Sequence, residues 1–312
     1  MNMDFMSRVN PELKQGLALS QPFYLPEDLM QARMIPPVST PKSERVRISD
    51  RYIDGAGGQD MLVRVYEPIN RDGEVLPALL WSHGGGYILG HPDVDDRVCQ
   101  SFVEAAGCVV FSPDYRLAPE HPFPAGIEDC YTALVWIAEN AAELQIDSNR
   151  IAIGGPSAGG GLTAALALLA RDRRGPAICF QMPLYPMIDD RNTTPSSHEI
   201  THPAVWNRAN NLAAWKMYLG EHANDEISPY AAPSRAQSLA GLPPTYTCVG
   251  QLDPFRDETI EYVARLAQDG VDVEFQLYPG GYHGFEYTVT DAEISHRAKD
   301  GYFRALARAF GR

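Results

Sequence analysis

The stretch that decides the fold is RIAIGGPSAGGGLTAALALLAR, residues 150–171. Its first five residues form a short apolar run of strand type. Gly155-Pro156-Ser157-Ala158-Gly159 then supplies a turn of the form G-x-S-x-G, and Ala158–Arg171 is rich in the helix formers Ala and Leu. Glycines at 155 and 159 let strand and helix approach closely around a sharp turn, which pushes the Ser157 hydroxyl into the open. A Gly-rich helix start also serves simple close packing. The strand before it and the helix after it favour reading Ser157 as a nucleophile, with the helix dipole and the Ala158 N–H directed at any negative charge that develops there.

Outward from this turn, short apolar runs alternate with helical patterns. Strands are expected at Pro77–Ser82, Cys108–Ser112, Ile178–Leu184, Thr245–Val249 and Val271–Tyr278. Helices are expected near Val94–Ala106, at Gly126–Asn140, with Ile127, Tyr131, Leu134 and Ile137 or Ala138 on one face, and at Glu258–Gln268. A closing helix spans Glu293–Phe310, with Ile294, Ala298, Phe303, Leu306 and Phe310 available for packing. Such a rhythm argues for an α/β fold: a mostly parallel sheet covered on both faces. Two alternating segments, Arg45–Ile53 and Met61–Glu67, flank Asp54-Gly55-Ala56-Gly57-Gly58 and read as an antiparallel hairpin at its edge. Residues 1–45 read as a helical, loosely amphipathic arm ending in Ile35-Pro36-Pro37. Residues 187–240 break the rhythm and read as helices inserted between two strands. The expected division is therefore a helical cap from 1–45 and 187–240 on a catalytic domain of 46–186 and 241–312.

The formal net charge of −14 disfavours phosphate backbones and anionic membranes, so neither nucleic acid nor membrane is an expected partner. Five scattered cysteines without a CxxC pair read as ordinary thiols of a reducing cytosol, and clustered metal ligands are absent from the pattern. The N-terminal residues MNMDFMSRVNPELK carry early charge and no apolar core of signal-peptide length. No run approaches the roughly 18 apolar residues of a membrane span. A soluble, cytoplasmic protein without metal or cofactor is expected.

A serine hydroxyl is a poor nucleophile near neutral pH and needs a base, itself oriented by an acid. After Ser157, Asp253 follows the strand at 245–249 and His283 follows the strand at 271–278, both on the sheet edge that carries Ser157. Asp257 and Glu258 compete for the acid role. They would begin the next helix as dipole-compatible caps, which favours Asp253. Upstream, His83-Gly84-Gly85-Gly86-Tyr87 directly follows a strand, and its glycines expose backbone N–H groups to a substrate oxygen, alongside Ala158. His83 and Gly84 are expected to support that loop, with His83 hydrogen-bonding rather than transferring protons. His91, near the same loop, is a weaker candidate for substrate contact. The remaining histidines lie in helical or inserted segments. Tyr87 and Leu89 after the glycines, with Trp206 and Trp215 in the inserted region, are candidate pocket residues, although cap aromatics also serve to pack the cap onto the sheet.

Together with Tyr115-Arg116-Leu117-Ala118-Pro119-Glu120, Pro122-Phe123-Pro124-Ala125, Asp253-Pro254-Phe255-Arg256-Asp257 and His283-Gly284-Phe285, these motifs resemble, in order and over roughly residues 60–310, the hormone-sensitive-lipase-like esterases. That resemblance implies an α/β-hydrolase fold with a helical cap. It also implies a Ser157–His283–Asp253 triad, oxyanion donors from Gly85, Gly86 and Ala158, small esters of short acyl chains as substrates, and a monomer or homodimer. Pro156 departs from the pattern, since the family commonly has an acidic or small polar residue there. Proline fixes φ and removes an N–H, so a rigid, intact elbow with altered rate or specificity is expected. An amidase or deacetylase using the same triad, and a non-catalytic small-molecule receptor on the same fold, are competing readings. A receptor would be expected to lack a triad member. A dinucleotide site is excluded, because neither Gly-rich loop gives G-x-G-x-x-G with an acidic residue at the right distance.

Overall fold

The alternating segments around Gly55–Gly58 pair as a hairpin. Strand β1 (Val46–Asp54) lies antiparallel to β2 (Asp60–Pro68), with Val46 opposite Pro68 and Asp54 opposite Asp60. The computed structural model describes residues 4–36, 40–41, 43–71, 73–224 and 226–312; Met1–Met3 of the expected arm and Pro37 of its Pro-Pro ending lie outside the described residues. Six further strands follow: β3 (Leu76–Trp81), β4 (Val109–Pro113), β5 (Ile146–Pro156), β6 (Phe180–Leu184), β7 (Thr245–Leu252) and β8 (Val273–Tyr282). They form one eight-stranded sheet in the order β1-β2-β4-β3-β5-β6-β7-β8. β2 is antiparallel to both neighbours, and every pairing from β4 to β8 is parallel.

Helices cover both faces, so the central strands alternate between two apolar cores. Ala78 and Leu80 of β3 and Ile151 and Ile153 of β5 enter one core with the helices Ala125–Glu139, Ala158–Arg173 and Arg256–Gln268. Leu79, Trp81 and Ala152 enter the other, with the helices Asp96–Ala106 and Glu293–Ala309. This accounts for β3 being buried along its whole length, as parallel strands sandwiched between helices are. Two residues expected in packing sit at the margins of the cores. Tyr131 is only half-buried and lies under the Arg173 guanidinium, 4.6 Å from the ring centre, rather than in the core. Phe303 is also half-buried, edge-on to Phe102 at 4.9 Å.

Residues 5–33 do not form one amphipathic helix. Short helical pieces lie at Phe5–Arg8, at Pro11–Leu13 running directly into Lys14–Leu19, and at Leu29–Arg33, with non-helical breaks at 9–10 and 20–28 in keeping with prolines at 11, 22 and 26. Val9, Leu13 and Leu17 pack against the β8 side of the sheet, where the Asn10 N–H donates to the Gly280 carbonyl. Leu25 and Leu29 instead join the core beneath the inserted region. That region carries the helices Pro195–Glu199 and Arg208–Leu219, each started by a side-chain cap, Thr194 and Asn207. Asn210 of the second helix joins the two parts: its amide oxygen accepts from Leu25 N–H, and its NH2 donates to Phe23 O.

Candidate active site

At the end of β5 the chain turns into the helix Ala158–Arg173 through Ser157, whose φ of 57° and ψ of −120° are strained for a non-glycine residue. The surroundings over-determine this conformation. Ser157 N–H donates to Leu184 O, while Ser157 O accepts from Gly161 and Met187 N–H. A Cβ on Gly159 would lie 2.0 Å from the Ser82 carbonyl oxygen and one on Gly155 2.3 Å from it, so the elbow forms only because both positions are glycine. Pro156 fits where it stands: it is the last residue of β5, in register with Leu184, and the bond to Leu184 O is made by Ser157 instead.

His283 follows β8, and its ring links the two remaining candidates. Nε2 lies 2.9 Å from Ser157 Oγ, and Nδ1 lies 2.8 Å from Asp253 Oδ2. A carboxylate partner fixes the tautomer: Nδ1–H donates to Asp253, and Nε2 is left to accept the Ser157 proton. Asp253 is fully buried in the loop after β7, and its other oxygen accepts from Phe255 N–H at 2.9 Å. The histidine ring sits between two aromatic rings, Tyr185 at 5.2 Å and Phe255 at 5.1 Å, both nearly perpendicular to it. Asp257 and Glu258, the rival acids, do not reach His283, and neither caps its own helix. Asp257 accepts from Ser196 N–H, and buried Glu258 accepts from Ile188 and Asp189 N–H. Both tie the inserted region to the loop that bears Asp253, a tertiary role invisible in a first-turn acidic pair.

The loop after β3 wraps the other side of Ser157. Gly85 and Gly86 have φ of 121° and 62°, and Gly85 O accepts from Ile88 and Leu89 N–H. Among the described residues the N–H groups of Gly85, Gly86 and Ala158 make no backbone hydrogen bond outside regular secondary structure. His83 is fully buried and braces the loop, with Nδ1 2.8 Å from Gly84 O and its ring stacked on Tyr115, whose hydroxyl donates to His83 O. Burial pushes His83 down to about 4, so it is neutral near pH 7. His91 pairs with Asp93.

Of the four pocket candidates, two pack inward. Tyr87 turns inward, donating its hydroxyl to Met187 O at 2.6 Å and stacking on Tyr218 at 3.9 Å. Trp215 is 2% exposed and packs beside the same two tyrosines. Both pack the inserted region against the loop after β3, because an inserted helix must bury its apolar face somewhere. Trp206 does reach the site. Its ring is 6.4 Å from that of His283 and lies so near Gly86 that a Cβ there would come within 2.5 Å of it. Leu89 is half-buried at the end of the glycine loop.

The arm contributes a residue that sequence reading passed over. Arg33 donates to Ile88 O at 2.9 Å and to Ala118 O at 2.7 Å, and pairs with Glu120. It thereby joins the glycine loop to the loop carrying Tyr115. Its only sequence signal is a positive charge in an otherwise uncharged helical turn. Among the described residues no group of three His, Cys, Asp or Glu is arranged to hold a metal, and no helix is long and apolar enough to cross a membrane.

A family model described as "alpha/beta hydrolase fold" matches residues 79–287. Esterase LipI of Mycobacterium tuberculosis is 39% identical over 256 residues, 81% of this chain and 80% of that protein. Carboxylesterase NlhH of the same organism is 39% identical over 265 residues, 84% and 82% of the two chains. Among solved structures, one described as a bacterial heroin esterase superposes with a TM-score of 0.92 at 38% identity, covering 98% of this chain and 99% of the other.

Proposed function

The chain belongs to the hormone-sensitive-lipase-like branch of the alpha/beta hydrolase fold family and is a carboxylic ester hydrolase; from that premise we propose that it cleaves small esters of short to medium acyl chains through an acyl-enzyme on Ser157. The continuous relay Ser157–His283–Asp253, with separations of 2.9 and 2.8 Å, carries this reading.

In the first half-reaction His283 Nε2 takes the Ser157 proton as Oγ attacks the ester carbonyl. The tetrahedral oxyanion is received by Gly85, Gly86 and Ala158 N–H, each donor typically worth about 3 kcal/mol of barrier. His283 then hands its proton to the departing alcohol. In the second half, water enters the alcohol's place and gives a proton to His283 as its oxygen attacks the acyl carbonyl; the acyl–Oγ bond then breaks, Ser157 Oγ takes the proton back from His283 and the acid leaves. Buried Asp253 keeps the imidazole in the needed tautomer and offsets its charge when it is protonated. The strained Ser157 backbone supports this role, because such strain is retained where it presents a reactive group. Trp206, between Gly86 and His283, narrows the space around the reacting carbonyl, which favours acyl groups of roughly C2–C8. Nothing in the site favours amide over ester substrates. Five unbridged cysteines suit a reducing compartment and a cytoplasmic enzyme.

The acyl-enzyme is tested by mixing the protein with p-nitrophenyl acetate, quenching in acid and mapping adducts by peptide mass. An acetyl group on the Ser157 peptide, accompanied by a burst of p-nitrophenol, is expected. A burst with the acetyl group elsewhere would overturn the assignment.

A further inference from the structure

A second carboxylic acid is buried beside His283. Glu286, three residues beyond it on the helical turn Phe285–Thr288, is 2% exposed. Its Oε1 accepts the Tyr185 hydroxyl at 2.5 Å, a separation typical of an O–H donor to an ionised acceptor. Tyr185 stands in the loop after β6, with φ of 31°, in the left-handed region that costs a residue with a Cβ roughly 1 kcal/mol or more. That conformation is pinned by its N–H donating to Cys248 O at 2.7 Å. The outcome is specific: the Tyr185 ring meets the His283 ring edge-on at 5.2 Å while its hydroxyl grips Glu286. A tyrosine placed only for packing needs neither the strain nor a buried acid partner.

We propose that Tyr185 and Glu286 are a positioning pair for His283. The Glu286 carboxylate adds a second negative charge that supports the imidazolium formed during proton transfer, and Tyr185 holds that carboxylate while its ring fixes the imidazole. The proposal rests on His283 being the general base of the ester hydrolase described above. Burial raises Glu286 from its ordinary 4.5 and the Asp253 charge adds to the rise, while the Tyr185 hydrogen bond, its own backbone and His283 oppose it. The other titratable groups facing it are the phenols of Tyr278, Tyr282, Tyr287 and Tyr302, the Cys248 thiol, and Lys299 of the closing helix. Burial pushes the phenols and the thiol upward, so they stay neutral, whereas burial lowers Lys299 and Glu286 opposes that lowering, an attraction that favours the carboxylate.

The test is the pH profile of kcat/KM for p-nitrophenyl butyrate with wild type, Glu286→Gln and Tyr185→Phe, each checked for folding by thermal melting. Glu286→Gln keeps an acceptor for Tyr185 and removes only the charge. The acid limb is expected to move down by about 0.5–1 pH unit, and the plateau to fall about 3–10-fold, the same free energy read twice. KM is expected to change little. Tyr185→Phe keeps the ring and deletes the donor, and is expected to shift the limb the same way by less. Acid limbs superimposable on that of wild type would overturn the pair. If Glu286→Gln fails to fold, the Tyr185→Phe profile decides. Wild-type inactivity on the ester, in contrast, would fail the ester-hydrolase reading itself.

Discussion

Asp95 offers a direct reading of how the floor of the glycine loop is built. Its carboxylate is 4% exposed and accepts Trp81 Nε1–H at 2.7 Å, at the end of β3 where the chain enters His83–Gly86. Burial, opposed by that hydrogen bond, pushes the carboxyl up from 3.8 to about 7. A carboxyl raised in the folded state makes folding progressively less favourable as pH climbs from the unfolded value to the folded one. At roughly 1.4 kcal/mol per unit, the penalty is about 2 kcal/mol at pH 5 and about 4 kcal/mol above pH 7. Asp95→Asn preserves shape and the acceptor for Trp81 while abolishing the titration. Its stability relative to wild type should therefore improve by about 2 kcal/mol between pH 5 and pH 8, or about 3 °C in Tm for a chain of this size. Differential scanning fluorimetry of both proteins at the two pH values measures it. A Tm difference that does not change with pH would refute the reasoning, since a mere loss of packing has no reason to titrate.

Arg33→Ala removes two charge-assisted bonds to the carbonyls of Ile88 and Ala118. Because the glycine loop acts on the transition state, kcat in steady-state ester hydrolysis should fall about 3–30-fold with KM little altered; an unchanged kcat would show that the arm does not hold the loop. Gly159→Ala places a methyl 2.0 Å from Ser82 O and 2.6 Å from His83 O, backbone atoms that cannot yield without moving the loop. A loss of about 3 kcal/mol or more in urea unfolding, with activity reduced at least 100-fold in the folded fraction, is expected.

The fold was legible because its signals are local. A run of strand residues, a turn and a helix define the elbow within about twenty positions, and the same rhythm along the chain matches the observed sheet. Chain order and strand ends singled out Asp253 and His283, which the structure brings together with Ser157. Contacts across long separations left no such trace. Tyr185 and Glu286 are 101 residues apart and Arg33 and Ile88 are 55 apart, and nothing in their neighbouring residues announces the pairing. Aromatic residues near the glycine loop were ambiguous for a different reason. Tyr87 and Trp206 have the same composition signal, yet one packs against the inserted region and the other lies beside His283. Glu258 shows a third kind of miss, in which a first-turn acid that suits the helix dipole is used instead to anchor the inserted region.

The central claim is tested most directly by steady-state hydrolysis of p-nitrophenyl esters from acetate to dodecanoate, with wild type beside Ser157→Ala. Activity that peaks at short to medium chains and falls at least about 10⁴-fold in the variant is the predicted result. Wild-type silence across the series, or a Ser157→Ala variant as active as wild type, would contradict it.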